Sequence, residues 1–365
     1  MAREHSRGGP KLSNRDASPE ETVMLDEQYG TRDKRGNWKP FKVIEYPPVI
    51  TWPPRPVKFA KWLLGFPGFI MPWNIFYALV AVGVWWMLPP IETFETFRVS
   101  WIAYIWAINL VLVTGFFGFF HWRLYMRRTQ DNAFKYNAKW LATDSPHYFL
   151  KSQIRDNLFH TYVSGVSFWT AWEAVTLWLY ANHYIPEVSF SEHPVYCSLM
   201  FFVVVLWRDI HFYAVHRLIH WPPLYKLAHH VHHRNVNIGP YSGLSMHPIE
   251  HLLYFSCVVL HWVVASHPLN AMYNLVHAGM SPAPGHTGFD QIVFDKGTLV
   301  ELPGHDHYLH HKHFECNYAD GVFPFDKWFG TFFDGTPASQ AKMEARFAER
   351  LRRIEEKQAR KEARQ

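Results

Sequence analysis

Three short segments carry imidazoles at helical spacing: His216-Arg-Leu-Ile-His220, His229-His-Val-His232-His233 and His307-Tyr-Leu-His310-His311. Residues three and four apart share one face of a helix, so each segment is expected to aim two or three imidazoles at a common point. Of the 24 histidines in the chain, 18 fall between His211 and His313, so the enrichment belongs to one region. A lone pair of helix histidines serves packing or hydrogen bonding more often than ligation. Eight of them in three boxes of matching spacing point instead to an assembled metal site.

Ligand type and number narrow the metal. Imidazole suits zinc, copper, iron and nickel, but structural zinc takes four ligands and catalytic zinc usually three. Eight histidines exceed one zinc site. Two metal ions sharing the set, each with a position left for oxygen or water, fit the number, and iron is the choice that supports oxygen chemistry at a membrane. Asp209, Glu250 and Asp306 are candidates to accept the second ring N–H of a ligand and so fix its tautomer. His211, His230, His305 and His313 flank the boxes and face other directions on regular helices. His286 lies in a stretch rich in proline and glycine, Gly279 to Asp290, and is either a further ligand or a loop residue shaping a substrate entrance. The chain has no HExxH, no GxSxG nucleophile elbow, no Walker loop and no GxGxxG fingerprint.

The order of these motifs resembles the fatty acid hydroxylase and sterol desaturase superfamily. The matching residues are His216-Arg217 to His220, His229 to His233, His247-Pro248-Ile249-Glu250, His277-Ala278-Gly279, His307 to His311, Asn317-Tyr318 and Asp326 to Thr331. They span about Val195 to Thr331. The resemblance implies an all-α integral-membrane fold, with four transmembrane helices carrying a histidine-rich helical cap on the cytoplasmic side and two irons held by the boxes. Carried over box by box, the implied ligands are His216, His220, His229, His232, His233, His307, His310 and His311, with His277 as a ninth. His247 and His251 are implied as ligands or as residues supporting them, because the family tolerates Arg where His247 stands. The Gly279 to Asp290 stretch departs from the family pattern.

Such boxes need a scaffold, and local hydropathy supplies one although the mean hydropathy is only −0.16. Apolar runs of the roughly 20 residues needed to cross a bilayer extend from about Phe66 to Leu88, Val99 to Phe120 and Leu158 to Ala181. A fourth, from about Val195 to Trp207, passes without a break into Arg208 and the first box. The loops between the first and second runs and between the third and fourth hold Glu92, Glu95, Glu187 and Glu192 with one Arg. The other side holds Arg55, Lys58, Lys61, Arg123, Arg127, Arg128, Lys135 and Lys139. By the excess of Lys and Arg on cytoplasmic loops, both termini and the histidine cluster are expected in the cytoplasm. The run Leu252 to Val276, interrupted by His261, His267 and Pro268, is expected to pack against protein, since its histidines would be costly in lipid.

Four segments follow: a polar and partly disordered amino-terminal part over residues 1–60, without a signal peptide; a membrane hairpin and third span over 61–194; a catalytic region over 195–335; and a charged helix over 336–365. The net charge of +5 is spread along the chain beside apolar runs, which argues for membrane orientation and against nucleic acid. Cys197, Cys257 and Cys316 are too scattered for a disulfide framework or a CxxC site.

The expected activity is that of an oxidoreductase: an oxygen-dependent hydroxylase or desaturase of a fatty acyl chain, sterol or related lipid. It would use O2 as co-substrate and take electrons from a separate reductase or small redox carrier, because no flavin, haem or iron–sulfur motif is present. Two other classes compete, a zinc-dependent membrane hydrolase and a non-enzymatic metal transporter or sensor. The hydrolase needs an acid–base carboxylate beside a ligand, for which Glu250 is the candidate; the transporter needs histidines or acids within the spans, whereas the boxes follow the fourth.

Overall fold

The structure is a computed structural model that describes residues 25–294 and 298–362; the disorder expected at the start of the chain falls largely on residues 1–24, outside the described residues. The chain is mostly helical. Among the described residues three helices are long and apolar enough to cross a membrane: Ile70–Met87, Val99–Met126 and Pro194–Ile219. Pro89-Pro90 ends the first, as a pair lacking backbone N–H must. Leu79, Trp86, Val111 and Val195 on these helices are between 63% and 80% exposed, so their outer faces find no protein partner and suit lipid.

The segment expected as a third span, Leu158 to Ala181, is helical from Gln153 but is not one of these three. A wide turn over His160–Gly165 interrupts it, and the regular helix that follows, Val166–Ala181, is only 16 residues long. Nine of those residues are buried, so much of its surface turns toward protein. Its acid is explained by a neighbour: Asn109 of the second apolar helix donates to Thr170 Oγ1 at 3.1 Å and to Glu173 Oε2 at 2.8 Å. Buried polar groups of this kind persist only when paired.

The interrupted run Leu252 to Val276 becomes two helices, Pro248–Phe255 and Pro268–Met280, joined by short turns. Both start with proline at the first helical position, where its missing N–H costs nothing, and His247 and His267 each cap the turn by accepting a backbone N–H through Nδ1. Every residue of Pro268–Met280 is buried. The helix lies in the main core together with Trp169, Phe255 and Phe117. Gly279 lets it approach Trp169, since a Cβ there would sit 2.0 Å from the indole ring.

The fold departs from all-α in two small antiparallel hairpins, Gly30–Arg32 with Trp38–Pro40 and Gln291–Phe294 with Thr298–Glu301. Trp38–Pro40 alternates buried and exposed side chains, a local period of two that the helical reading overlooked. A second core joins Trp38, Phe134, Tyr136 and Tyr308 to Met343 on the helix Pro337–Glu362, so the amino-terminal hairpin and the carboxyl-terminal helix both brace the last histidine box.

Candidate metal centre

The first box ends the long helix Pro194–Ile219. Trp221 is extended (φ −62°, ψ 130°), as the residue before a proline prefers, so the helix stops at His220 and the chain turns back through Pro222–Leu224 into the second box. The third box forms the helix His305–His313, which begins after Gly304 at φ 137°. A Cβ on Gly304 would lie 2.3 Å from the Gly285 carbonyl oxygen, and this close approach brings the loop carrying His286 against the helix carrying His307. Gly304→Ala is expected to destabilise the protein by about 1–3 kcal/mol through its left-handed backbone alone, which thermal unfolding in detergent would measure.

Two groups of histidines result: His216, His220, His229, His233 and His310, and His232, His286, His307 and His311. Within the first, His220 Nε2 lies 3.2 Å from His310 Nε2 and 3.1 Å from the Nε2 atoms of His229 and His233; His310 and His233 are also 3.1 Å apart. In the second, His307 Nε2 is 3.0 Å from His286 Nε2 and 3.2 Å from His311 Nε2.

The expectation that each HxxHH box serves one point is corrected. His229 and His233 join the first group while His232 joins the second; His307 and His311 join the second while His310 joins the first. Residues four apart nearly eclipse along a helix, whereas consecutive residues diverge by about 100°, so each His-His pair must split between two sites. The two groups therefore adjoin, with the His232 and His311 rings 4.5 Å apart and the His233 and His311 rings 4.9 Å apart.

The partners of the other ring nitrogens fix several tautomers. His216 Nδ1–H donates to the Tyr318 carbonyl at 2.7 Å, His310 Nδ1–H to Cys316 at 2.6 Å and His286 Nδ1–H to Pro282 at 2.9 Å. His229 Nδ1–H donates to Glu250 Oε1 at 2.8 Å. A carbonyl only accepts, so Nδ1 carries the hydrogen and Nε2 presents a lone pair to the group. Burial holds His229, His232, His233, His307 and His311 well below the ordinary imidazole range; it brings His310 to about 3 and His286 to about 4, leaving neutral rings that ligate metals. One hydrogen or one lone pair on His220 Nε2 cannot satisfy three nitrogens at once. A shared cation can, so the donor set fits a metal in each group.

Eight of the nine expected ligands are thus brought together, and His286 completes the second group. His277 is not among them. On the buried helix Pro268–Met280 its Nε2 bonds Asn74 Oδ1 at 2.9 Å, and its ring packs edge-on against Tyr77, away from both groups. His251 is also outside, bonded to Ser164 Oγ at 2.9 Å and the Leu244 carbonyl at 3.1 Å, and His247 is the helix cap described above. Glu250 does hold a ring N–H, whereas Asp306 accepts the His307 backbone N–H at 2.8 Å and Asp209 that of Phe323 at 2.6 Å. Sequence reasoning missed the carbonyls of Cys316 and Tyr318, for which the Asn317-Tyr318 motif was the only signal.

A cavity of about 490 Å³ reaches the inner faces of both groups, at His216, His229, His232, His286 and His307. Trp62, Phe69, Trp73, Val205 and Phe212 also line it. A separate cleft of about 410 Å³ opens on His220 from another side, between Arg217, Trp221, Tyr318, Arg346 and Arg350.

Residues 201–331, which hold all of these histidines, match the fatty acid hydroxylase family. The chain carries a fatty acid hydroxylase domain. The domain is similar to the Delta(7)-sterol 5(6)-desaturase of Gibberella zeae, 28% identical over 157 residues that cover 42% of this chain and 46% of the relative. It is similar too to the cholesterol 25-hydroxylase of Homo sapiens, 28% identical over 158 residues (41% of this chain, 54% of the relative). The Delta(7)-sterol 5(6)-desaturase of Saccharomyces cerevisiae is 22% identical over 148 residues (40% of each). The chain therefore spans about half or less of the length of these relatives. No solved structure matches.

Proposed function

We propose that the protein is an integral-membrane oxidoreductase that uses O2 to hydroxylate or desaturate a lipid, with one iron ion held by His216, His220, His229, His233 and His310 and a second by His232, His286, His307 and His311. The observation that carries this reading is the convergence of Nε2 lone pairs in two adjoining buried groups at the end of an apolar cavity. Donor number favours iron over zinc. Five imidazoles in one group exceed the four ligands that zinc takes. Glu250, the acid–base candidate of the hydrolase reading, is engaged through Oε1 by His229.

Iron held by these residues would supply the O2 activation needed to remove hydrogen from an unactivated carbon. Hydroxylation consumes one O2, two electrons and two protons and releases an alcohol and one water; desaturation with the same inputs releases an alkene and two waters. The chain's part is to bind, orient and exclude water. Trp62, Phe69, Trp73 and Phe212 give the substrate an apolar wall, and histidines of both groups line the same space, where they would hold the metals. Glu250 and the carbonyls of Tyr318, Cys316 and Pro282 hold four rings in orientation. Electrons come from a separate donor, for which the Arg-lined cleft over His220 offers an approach apart from the substrate cavity.

The names of the relatives make sterols the first substrates to test, with fatty acyl chains beside them. In this reading Gln153–Ala181 joins the three long apolar helices as a fourth crossing, and the termini and the histidine cap lie in the cytoplasm on the side bearing Arg123, Arg127 and Arg128. Metal analysis of the purified protein is expected to find about two iron per chain, and lipidomics of cells with and without it a gain of one oxygen or a loss of two hydrogens in a lipid. One tightly held zinc with no iron would sink the proposal.

A further inference from the structure

Arg208 sits in the wall of the apolar cavity, two helical turns before His216, and is only 8% exposed. Its Nη2 donates to the Tyr254 hydroxyl at 3.0 Å, and that hydroxyl spends its own hydrogen on the Ala278 carbonyl at 2.8 Å. Arg208 Nε and Nη1 have no partner. Among the described residues no ion pair involves Arg208. A buried guanidinium with two idle nitrogens is costly unless something occupies the space it faces.

Asp320 lines the same cavity, entering from the loop that follows Tyr318. It lies near enough for the Arg208 charge to act on it, yet the two do not close into a pair. Asp209 and Asp306 also line this space. Asp209 accepts the Phe323 N–H through Oδ2 and keeps Oδ1 without a partner, and Asp306 accepts the N–H of His307; neither bonds Arg208.

We infer that Arg208 and Asp320 bind the hydroxyl group of a neutral lipid alcohol, fixing which end of the substrate lies away from the histidines. The inference rests on the lipid-oxygenase reading and narrows its substrate class. A hydroxyl oxygen accepts from Arg208 while its hydrogen goes to the Asp320 carboxylate, which uses both idle functions at once. A lipid carboxylate would satisfy Arg208 but bring no hydrogen for the Asp320 oxygens to accept. An ammonium would face Arg208. The rest of the ligand must be apolar to fill the space between Trp62, Phe69, Trp73 and Phe212, and about 490 Å³ is the size of a pocket for one compact lipid.

The test is equilibrium binding to the metal-loaded protein in lipid nanodiscs, with two probe series: cholesterol, its methyl ether and its sulfate, and octadecan-1-ol, its methyl ether and octadecanoate. In at least one series the free alcohol should bind about tenfold or more tighter than both the ether and the anion, as loss of a hydrogen bond to a buried partner predicts. Arg208→Met and Asp320→Leu should each bring alcohol and ether to within about twofold, with ether binding unchanged; Arg208→Lys should restore part of the preference. Equal binding of alcohol and ether in both series, tighter binding of the anion, or a preference that survives both substitutions overturns the inference. Iron content read on the same samples separates the two claims. Two irons without an alcohol preference removes only this inference, whereas an alcohol preference without iron removes only the oxygenase reading.

Discussion

His220→Ala is expected to remove one iron per chain and to abolish oxygen-dependent turnover. His220 Nε2 lies within 3.2 Å of three other ring nitrogens, so its loss opens the centre of the five-histidine group rather than its edge. His286→Ala is expected to remove the other iron, because the second group has only four members and His286 Nε2 is 3.0 Å from His307. His277→Ala should leave both irons in place, since its ring is turned to Asn74 and Tyr77. Metal analysis of the three variants against the parent decides among them. Loss of iron in His277→Ala with full loading of His286→Ala would reverse the assignment of the ninth ligand.

The second large effect lies outside the histidines. Asp326 is fully buried and its carboxylate accepts from the Tyr318 N–H at 3.0 Å, the Ala319 N–H at 2.8 Å and the Thr331 hydroxyl at 2.5 Å. These bonds fix the segment whose Cys316 and Tyr318 carbonyls hold His310 and His216. Asp326→Ala leaves two buried backbone N–H groups unpaired and should cost about 3 kcal/mol or more, at 1–3 kcal/mol for each orphaned donor. It should also weaken iron binding by about 10- to 100-fold, the usual effect of losing a group that orients a ligand. Chelator competition alongside thermal unfolding measures both. Unchanged iron affinity would mean that the loop keeps its carbonyls in position without the carboxylate.

Such supporting contacts explain how far the sequence could be read. The three boxes were legible because helical spacing is local: His216 and His220, His229 and His233, and His307 and His311 are each four apart and do share a face. The apolar runs were legible for the same reason, down to the prolines that end the first. Glu250 was recognisable as a partner for a ring N–H, though nothing local said that the ring would be that of His229. The third run was legible as apolar, but neither the wide turn at His160–Gly165 nor the answer that Glu173 finds in Asn109 of another helix has a local signal.

What the sequence by itself determined is therefore the inventory: enough imidazoles, at helical spacing, beyond an apolar helix, to hold two metal ions. Only the tertiary structure decided how the inventory is divided. Consecutive histidines leave one helix about 100° apart, but which group each one joins is set by the segments packed on either side. The entry of His286 depends on Gly304 passing close to Gly285, and the exclusion of His277 on a bond to Asn74, 203 residues away in the chain. Arg208 and Asp320 likewise meet across a cavity that no local pattern encodes. Spacing acts within a turn or two of helix, whereas membership in a site is set by which segments the whole fold packs together.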